Sequence, residues 1–313
     1  MERTQPAEQP ILVTGAHRSG TTWVGKMLAA GPDVAYISEP LNALHRPGVM
    51  RAPVMHWYTY ICEANEVEYL EALRETLAFR YHPLAELRSL RSRKDLLRMG
   101  RDWSLFLRAR LGDKRPLLKD PFAVFSAAWF ASRLDCSVVI TVRHPAAFAS
   151  SLLRLGWSFN FSDLLAQPHL METWLEPYRA GMEAQLSAPE DIIGQSCLLW
   201  RMIYSVAAQL QVQYPQFLIV RHEDLSQDPL GGFRQLYAAL GLDFSPQVQQ
   251  VIQDSSSAEN PGELSRRKVH AVRMDSRAGL GNWKRRLNPA ESERVRELTA
   301  GVAERYYTPE DWL

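Results

Sequence analysis

Short, wholly apolar runs alternate along this chain with stretches of helical spacing. "ILVTGA" from Ile11 is β-branched and ends in glycine; "VAYIS", "PLLKDP", "SVVITVR" and "FLIVR" repeat the pattern downstream. Runs of this length and composition predict buried strands. "GTTWVGKMLAA" has helical periodicity and stops at Gly31-Pro32, and further helices are predicted over 124–134, 146–155, 192–213 and 229–240, with a last one after Asn288-Pro289. Strands without polar alternation, separated by helices, imply a parallel sheet covered on both faces, an α/β three-layer sandwich. In such sheets ligands bind beyond the carboxyl ends of the strands. Residues 41–115 read as a helical insertion, 156–190 as aromatic loop, and the region from about 255 as a looser polar tail ending in a helix.

Composition narrows the picture modestly. The 313 residues are 46% hydrophobic and 23% charged, an ordinary globular balance; the expectation is one domain over 1–313. Net charge is +1, so no overall field favours nucleic acid. The exception is 74–115, with 12 Lys/Arg against 5 Asp/Glu, read either as solvated helix faces or as an anion-attracting rim. No apolar run approaches the ~18 residues of a membrane span, and the polar start lacks a secretory h-region, so a cytoplasmic location is expected. Cys62, Cys136 and Cys197 are odd in number and far apart, which suits buried thiols of a reducing compartment.

The chemistry concentrates at strand ends. Gly15-x4-Gly20 has the spacing of a P-loop, the phosphate cradle of P-loop NTPase-like folds, where backbone N–H groups at a helix start face an anion. A nucleoside-triphosphatase would place Lys after the second glycine to reach the β/γ-phosphates. Here Thr21 stands there, and the cation lies inside the loop at Arg18. A terminal group carrying less charge than a γ-phosphate suits that arrangement, with no metal required.

The run Arg18-Ser19-Gly20-Thr21-Thr22-Trp23 resembles the signature of sulfotransferases that use 3′-phosphoadenosine 5′-phosphosulfate (PAPS). The resemblance implies that Arg18 to Trp23 hold the 5′-phosphosulfate and that Arg18 stabilises the bridging oxygen as its bond breaks. "TVRHPAAFASS" is similar to the family's 3′-phosphate motif, which implies that role for Arg143 and Ser151, with Ser150 as the alternative. "SRAGLGNWKRRL" is similar to the family's closing loop, although Ala278 stands where Lys is usual and the glycine spacing is one residue short. It implies Arg277 as a phosphate ligand with Gly279 allowing close backbone approach at the cofactor, and leaves Arg273 and Lys284 open as alternatives. "HEDL" resembles a family strand end with His222 in place of Tyr.

"SEPLN" resembles the Glu-Pro-Leu of carbohydrate-type members and makes Glu39 the first choice for the base that takes the acceptor proton. Glu39 ends the second strand, expected beside the loop. Asp120 and His17 are the alternatives, and Lys119 either neutralises sulfuryl oxygens or pairs with Asp120. Trp157, Phe159, Phe161 and Trp174 form either an acceptor wall or core. The resemblance implies transfer to a hydroxyl of a glycan or glycolipid in a bacterial cytoplasmic enzyme. The competing readings are a P-loop kinase and a noncatalytic nucleotide- or glycan-binding protein of the same fold.

Overall fold

The structure, a computed structural model, describes residues 9–263 and 272–313. The strands are β1 (Ile11–Gly15), β2 (Val34–Ser38), β3 (Arg115–Lys119), β4 (Ser137–Val142) and β5 (Leu218–Arg221). They form one parallel sheet in the order β2-β3-β1-β4-β5. The helices that position the site are α1 (Thr21–Leu28), α2 (Arg93–Leu111), α3 (Pro145–Leu155), α4 (Ile192–Gln213), α5 (His222–Gln227), α6 (Pro229–Ala239), α7 (Pro246–Ser256), α8 (Asn282–Arg286) and α9 (Pro289–Thr299). Shorter helical turns join them.

Side-chain alternation along the strands divides the core in two. Ile11, Val13, Leu117 and Val139 pack with Val24, Leu28, Phe233, Tyr237 and Ile252 of α1, α6 and α7. Leu12, Leu118, Val138 and Ile140 pack on the other face with Phe148, Trp200 and Ile203 of α3 and α4. These two cores make the three layers of the α/β sandwich. Leu12, Leu118 and Ile140 have no exposed surface, and truncating any one to Ala would cost about 2–5 kcal/mol. A third cluster, including Ala146, Ala149, Trp283 and Val295, fastens α8 and α9 onto α3.

The punctuation is local. Pro145 opens α3, and Gly156 ends it at φ 65°. Asn288 and Glu291 form a capping box at the start of α9. Three expectations change. β2 lies at the sheet edge with β3 between it and β1; β3 carries Leu117 and Leu118 fully buried, whereas β2 is only partly covered, as suits an edge. Residues 156–190 are largely helical turns, including Pro168–Leu170, Met171–Leu175 and Arg179–Leu186, because Phe161, Leu164, Leu170 and Leu175 all reach the core. The stretch after the predicted helix over 229–240, for which no element is predicted, forms α7, whose cap Ser245 accepts from Val248 N–H. Of the thiols, Cys136 and Cys197 are buried and Cys62 is half-buried.

Candidate active site

The turn from β1 into α1 is held from below. Gly15 adopts φ 140°, and a Cβ there would lie 2.4 Å from the Thr141 carbonyl oxygen, so β1 and β4 can approach only without a side chain. Ser19 is buried beneath the turn: its hydroxyl donates to Ala16 O at 2.6 Å and meets Thr141 Oγ1 at 2.7 Å. Ser19 therefore braces the loop with its side chain. Arg18 takes the left-handed conformation at φ 67°, unusual for a residue with a side chain. Gly20 caps α1 at φ 96° with no side-chain cap, and the first turn carries no acid. The first N–H groups of α1 are thus presented to a cleft lined by Gly20, Thr21, Thr22 and Trp23.

Arg18, Arg143 and Ser151 line that same cleft. Arg143 Nη1 donates to Arg18 O at 2.8 Å, and Arg18 Nε donates to Ser151 Oγ at 3.4 Å. Ser150 instead turns back to Ala147 O at 3.2 Å. Behind Arg143 lies a buried network. Glu223 accepts from His144 N–H at 3.0 Å and from Tyr307 O–H at 2.9 Å. Burial raises the Glu223 carboxyl, while Arg143 opposes that rise. Trp200 Nε1 donates to Arg143 O at 2.8 Å. Arg143 Nε is buried without a partner, a donor that an anion in the cleft would satisfy. Arg18 is brought down to about 10 by burial and by Arg143, Arg154 and Arg286, so it stays charged near neutrality although the four guanidinium groups crowd one place.

Glu39 and Lys119 form a pair at the ends of β2 and β3. Glu39 is left-handed at φ 50°. Its N–H donates to Lys119 O at 2.8 Å, and Asn42 Nδ2 donates to Glu39 Oε2 at 2.7 Å. Edge strand β2 is thus tied to β3 at its end; Glu39, Lys119, Asp120 and His17 do not line the Arg18–Arg143 cleft, and Glu39 acts on His17, next to Arg18 in the loop. Lys119 pairs with Glu39 and is 2% exposed. Asp120 has no exposure, and its oxygens accept from Leu41 N–H at 2.5 Å and Phe122 N–H at 2.9 Å. Burial, then Glu39, push its carboxyl up to about 7. His17 meets Tyr58 O–H through Nδ1 at 2.8 Å and lies among Phe122, Phe148 and Phe159. Burial and Arg18 bring it down to about 4 against the pull of Glu39, so its imidazole is neutral. Phe161 and Trp174 belong to the core. Trp157 is 41% exposed and lies under the Arg18 guanidinium at 5.9 Å.

The description of the sulfotransferase family matches residues 10–246, three quarters of the chain and every strand of the sheet. The chain belongs to the sulfotransferase family. Against curated sulfotransferases it is 37% identical to mouse carbohydrate sulfotransferase 5 over 87 residues, covering 28% of this chain and 22% of that one. It is 35% identical to human carbohydrate sulfotransferase 6 over 105 residues, covering 31% and 26%. Human carbohydrate sulfotransferase 3 matches at 23% over 199 residues, covering 62% and 35%. The matches span about a third or less of these relatives' own lengths. Among solved structures, the sulfotransferase domain of the Synechococcus PCC 7002 olefin synthase aligns over 99% of this chain and 98% of that one, at 17% identity and TM-score 0.47. A sulfotransferase from Alicyclobacillus acidocaldarius aligns over 98% and 99%, at 14% identity and TM-score 0.46.

The closing segment of this sulfotransferase-family chain is arranged differently from its motif. Arg277 is exposed, with Nε donating to Gln227 O at 3.1 Å, and does not line the cleft. Gly279 does line it. The guanidinium from this region is Arg286, nine residues on, because α8 turns its cationic end inward over α3. Arg154 joins it, one turn beyond Ser151 on α3. Both pair with Glu263, at 2.6 Å from Arg154 and 2.7 Å from Arg286. Arg273 and Lys284 do not line the cleft either; Lys284 bonds Leu313 O. The i, i+3 relation of Ser151 and Arg154 was available in the sequence; the arrival of Arg286 depends on packing between distant helices. His222 lines the cleft beside Trp23, ring centroids 5.6 Å apart. Burial, Arg143 and Arg18 hold it down at about 3, so it is neutral. Among the described residues no helix is long and apolar enough to cross a membrane.

Proposed function

We propose that the chain transfers a sulfuryl group from PAPS to an acceptor hydroxyl by in-line displacement, within a single domain. The observation that carries this reading is the convergence of Arg18 and Arg143 in one cleft, joined by the 2.8 Å bond from Arg143 to the Arg18 carbonyl. Two cationic seats in one crevice suit a nucleotide phosphorylated at both ends of its ribose. Gly20 supports the fit: a Cβ there would fall 2.6 Å from His222 Nδ1 and fill the cradle. The unpartnered Arg143 Nε supports it at the second seat. Gly20 to Trp23 and Arg18 would hold the 5′ group; Arg143, Ser151, Arg154 and Arg286 would hold the 3′-phosphate, with Gly279 allowing close backbone approach. The donor, when bound, supplies an activated sulfuryl group.

In this reading Arg18 stabilises negative charge on the leaving oxygen. Glu39 takes the acceptor proton once the acceptor displaces Asn42 or Lys119 from one of its oxygens. Lys119 then stays beside the reacting oxygens as a fixed cation. Asp120 is less suited, because backbone N–H groups engage both of its oxygens; His17, neutral and next to Arg18, is the alternative base. The acceptor class proposed is a glycan or glycolipid. Its support is the similarity to the carbohydrate sulfotransferases above and the exposed Trp157 ring beside Arg18.

Thermal shifts with adenosine 3′,5′-bisphosphate and with ATP plus Mg²⁺ test the nucleotide assignment. Stabilisation by the bisphosphate supports it; stabilisation by ATP–Mg²⁺ alone replaces it with a kinase reading. Labelled sulfur transfer from PAPS to a glycan panel tests the chemistry. Glu39→Gln is expected to lower turnover by about 10²–10⁴-fold with nucleotide affinity nearly unchanged. Full turnover in that variant would transfer the role to His17.

A further inference from the structure

Helix α2, outside the cleft, presents a surface that sulfuryl transfer does not use. Only Met99, Phe106 and Ala109 of its 19 residues are buried. Leu96, Trp103, Leu107 and Leu111 are 51%, 46%, 49% and 77% exposed. At 3.6 residues per turn these four fall within about a quarter of the helix circumference and form one outward column. Lys94, Arg98, Arg101 and Arg108, all exposed, form a second column on the opposite flank of the outward face, with Leu97 between the two columns and Leu105 among the cations, 76% and 50% exposed. The preceding helical turn, Pro83–Leu87, adds Leu84 and Leu87, 75% and 47% exposed. The acids of α2 are engaged: Asp95 accepts from Ser92 at the amino end, and Asp102 accepts from Arg46 and Arg101. The outward face therefore carries an apolar column on one flank and a row of cations on the other, with exposed Leu97 between them.

We propose that α2 and the 83–87 turn form an interfacial element that docks the protein on an anionic lipid surface. Leu96, Trp103, Leu107 and Leu111 enter the boundary between headgroups and acyl chains, and the Lys/Arg column reaches lipid phosphates while its aliphatic stems cover apolar surface. Charge complementarity selects this occupant. A second copy would bring the same cations and no free acid on this face. Arg46, in the segment that follows Glu39, holds the middle of α2 through Asp102, so the docked element is tied to the loop that carries the proposed base. A lipid-borne acceptor would suit that arrangement, but the docking stands independently of the sulfuryl-transfer reading.

The test is flotation of the full chain with phosphatidylcholine vesicles, with and without phosphatidylglycerol, at low and high salt. Binding is expected only with phosphatidylglycerol and is weakened by salt. Trp103→Glu/Leu107→Glu and Lys94→Glu/Arg98→Glu should each lose about tenfold or more in partitioning, with melting temperatures equal to wild type. Should the apolar double variant melt early, Leu96→Gln serves in its place and should weaken binding by about threefold. Absence of binding to phosphatidylglycerol vesicles, or variants that partition like wild type, would overturn the proposal. So would a dimer in analytical ultracentrifugation that the apolar variant breaks while wild type ignores vesicles; the face would then be a contact between copies.

Discussion

The two cationic seats of the cleft are built in different ways. The Arg18 seat is made by backbone: a left-handed arginine, two glycines at positive φ and an uncapped helix start, braced from below by Ser19 and Thr141. The Arg143 seat is made by side chains gathered from across the molecule. Glu223 and Tyr307 lie behind it, Trp200 holds its carbonyl, and Arg154 and Arg286 stand alongside. A backbone cradle fixes where N–H groups point and suits charge that develops during reaction. A side-chain cluster packed on a rigid strand end suits a charge that never changes. The first seat should therefore govern rate, and the second affinity.

The largest expected effect follows from that division. Arg18→Ala should reduce kcat by about 10²–10³-fold with a smaller change in KM for PAPS. A change confined to KM would erase the distinction between the seats. Steady-state kinetics with labelled PAPS reads both.

A second prediction concerns the neutral histidines near the seats. His222 and His144 are held at about 3, and His17 at about 4, each chiefly by burial, against 6.5 when free. In that interval the unfolded chain binds more protons than the folded one. The histidine contribution to stability should thus fall as pH drops below about 6.5, with His144 and His222 each adding up to roughly 1.4 kcal/mol per pH unit, while Asp120, raised to about 7, offsets part of the decline. Melting temperatures between pH 8 and 5 check this, and His222→Phe should flatten the decline. An unchanged slope in His222→Phe would mean that His222 is already protonated.

The smallest effect separates the motif from the packing. Arg277→Ala should change bisphosphate affinity by less than about twofold, whereas Arg286→Ala should weaken it by about tenfold, the scale of one charge-assisted hydrogen bond. Isothermal titration of both variants reads this directly, and the reverse order would restore Arg277 to the cleft.

These contrasts also mark what the sequence made legible. All five strands and the long α4 were readable because their apolar runs are continuous and need no distant partner. The Arg18 loop was readable for the same reason: its glycines, serine and threonines are local. The edge position of β2 was not, since strand order is decided by which strand buries both faces. Residues 156–190 looked like loop because Pro168, Glu176-Pro177 and the aromatics break any single periodicity; tertiary burial of Phe161, Leu170 and Leu175 organises them into short turns. Arg286 and the Glu223–Tyr307 support behind Arg143 were not legible because they arrive from other helices or from the carboxyl-terminal segment, whereas Arg154, one turn beyond Ser151 on α3, was within reach of helical spacing.

The central claim is that both seats grip one nucleotide, and its most direct test is isothermal titration with adenosine 3′,5′-bisphosphate and adenosine 5′-monophosphate. Wild type should prefer the bisphosphate by about a hundredfold, and Arg143→Ala should remove most of that preference while leaving monophosphate binding nearly unchanged. Equal affinity of wild type for the two nucleotides, or a preference that survives intact in Arg143→Ala, would contradict it.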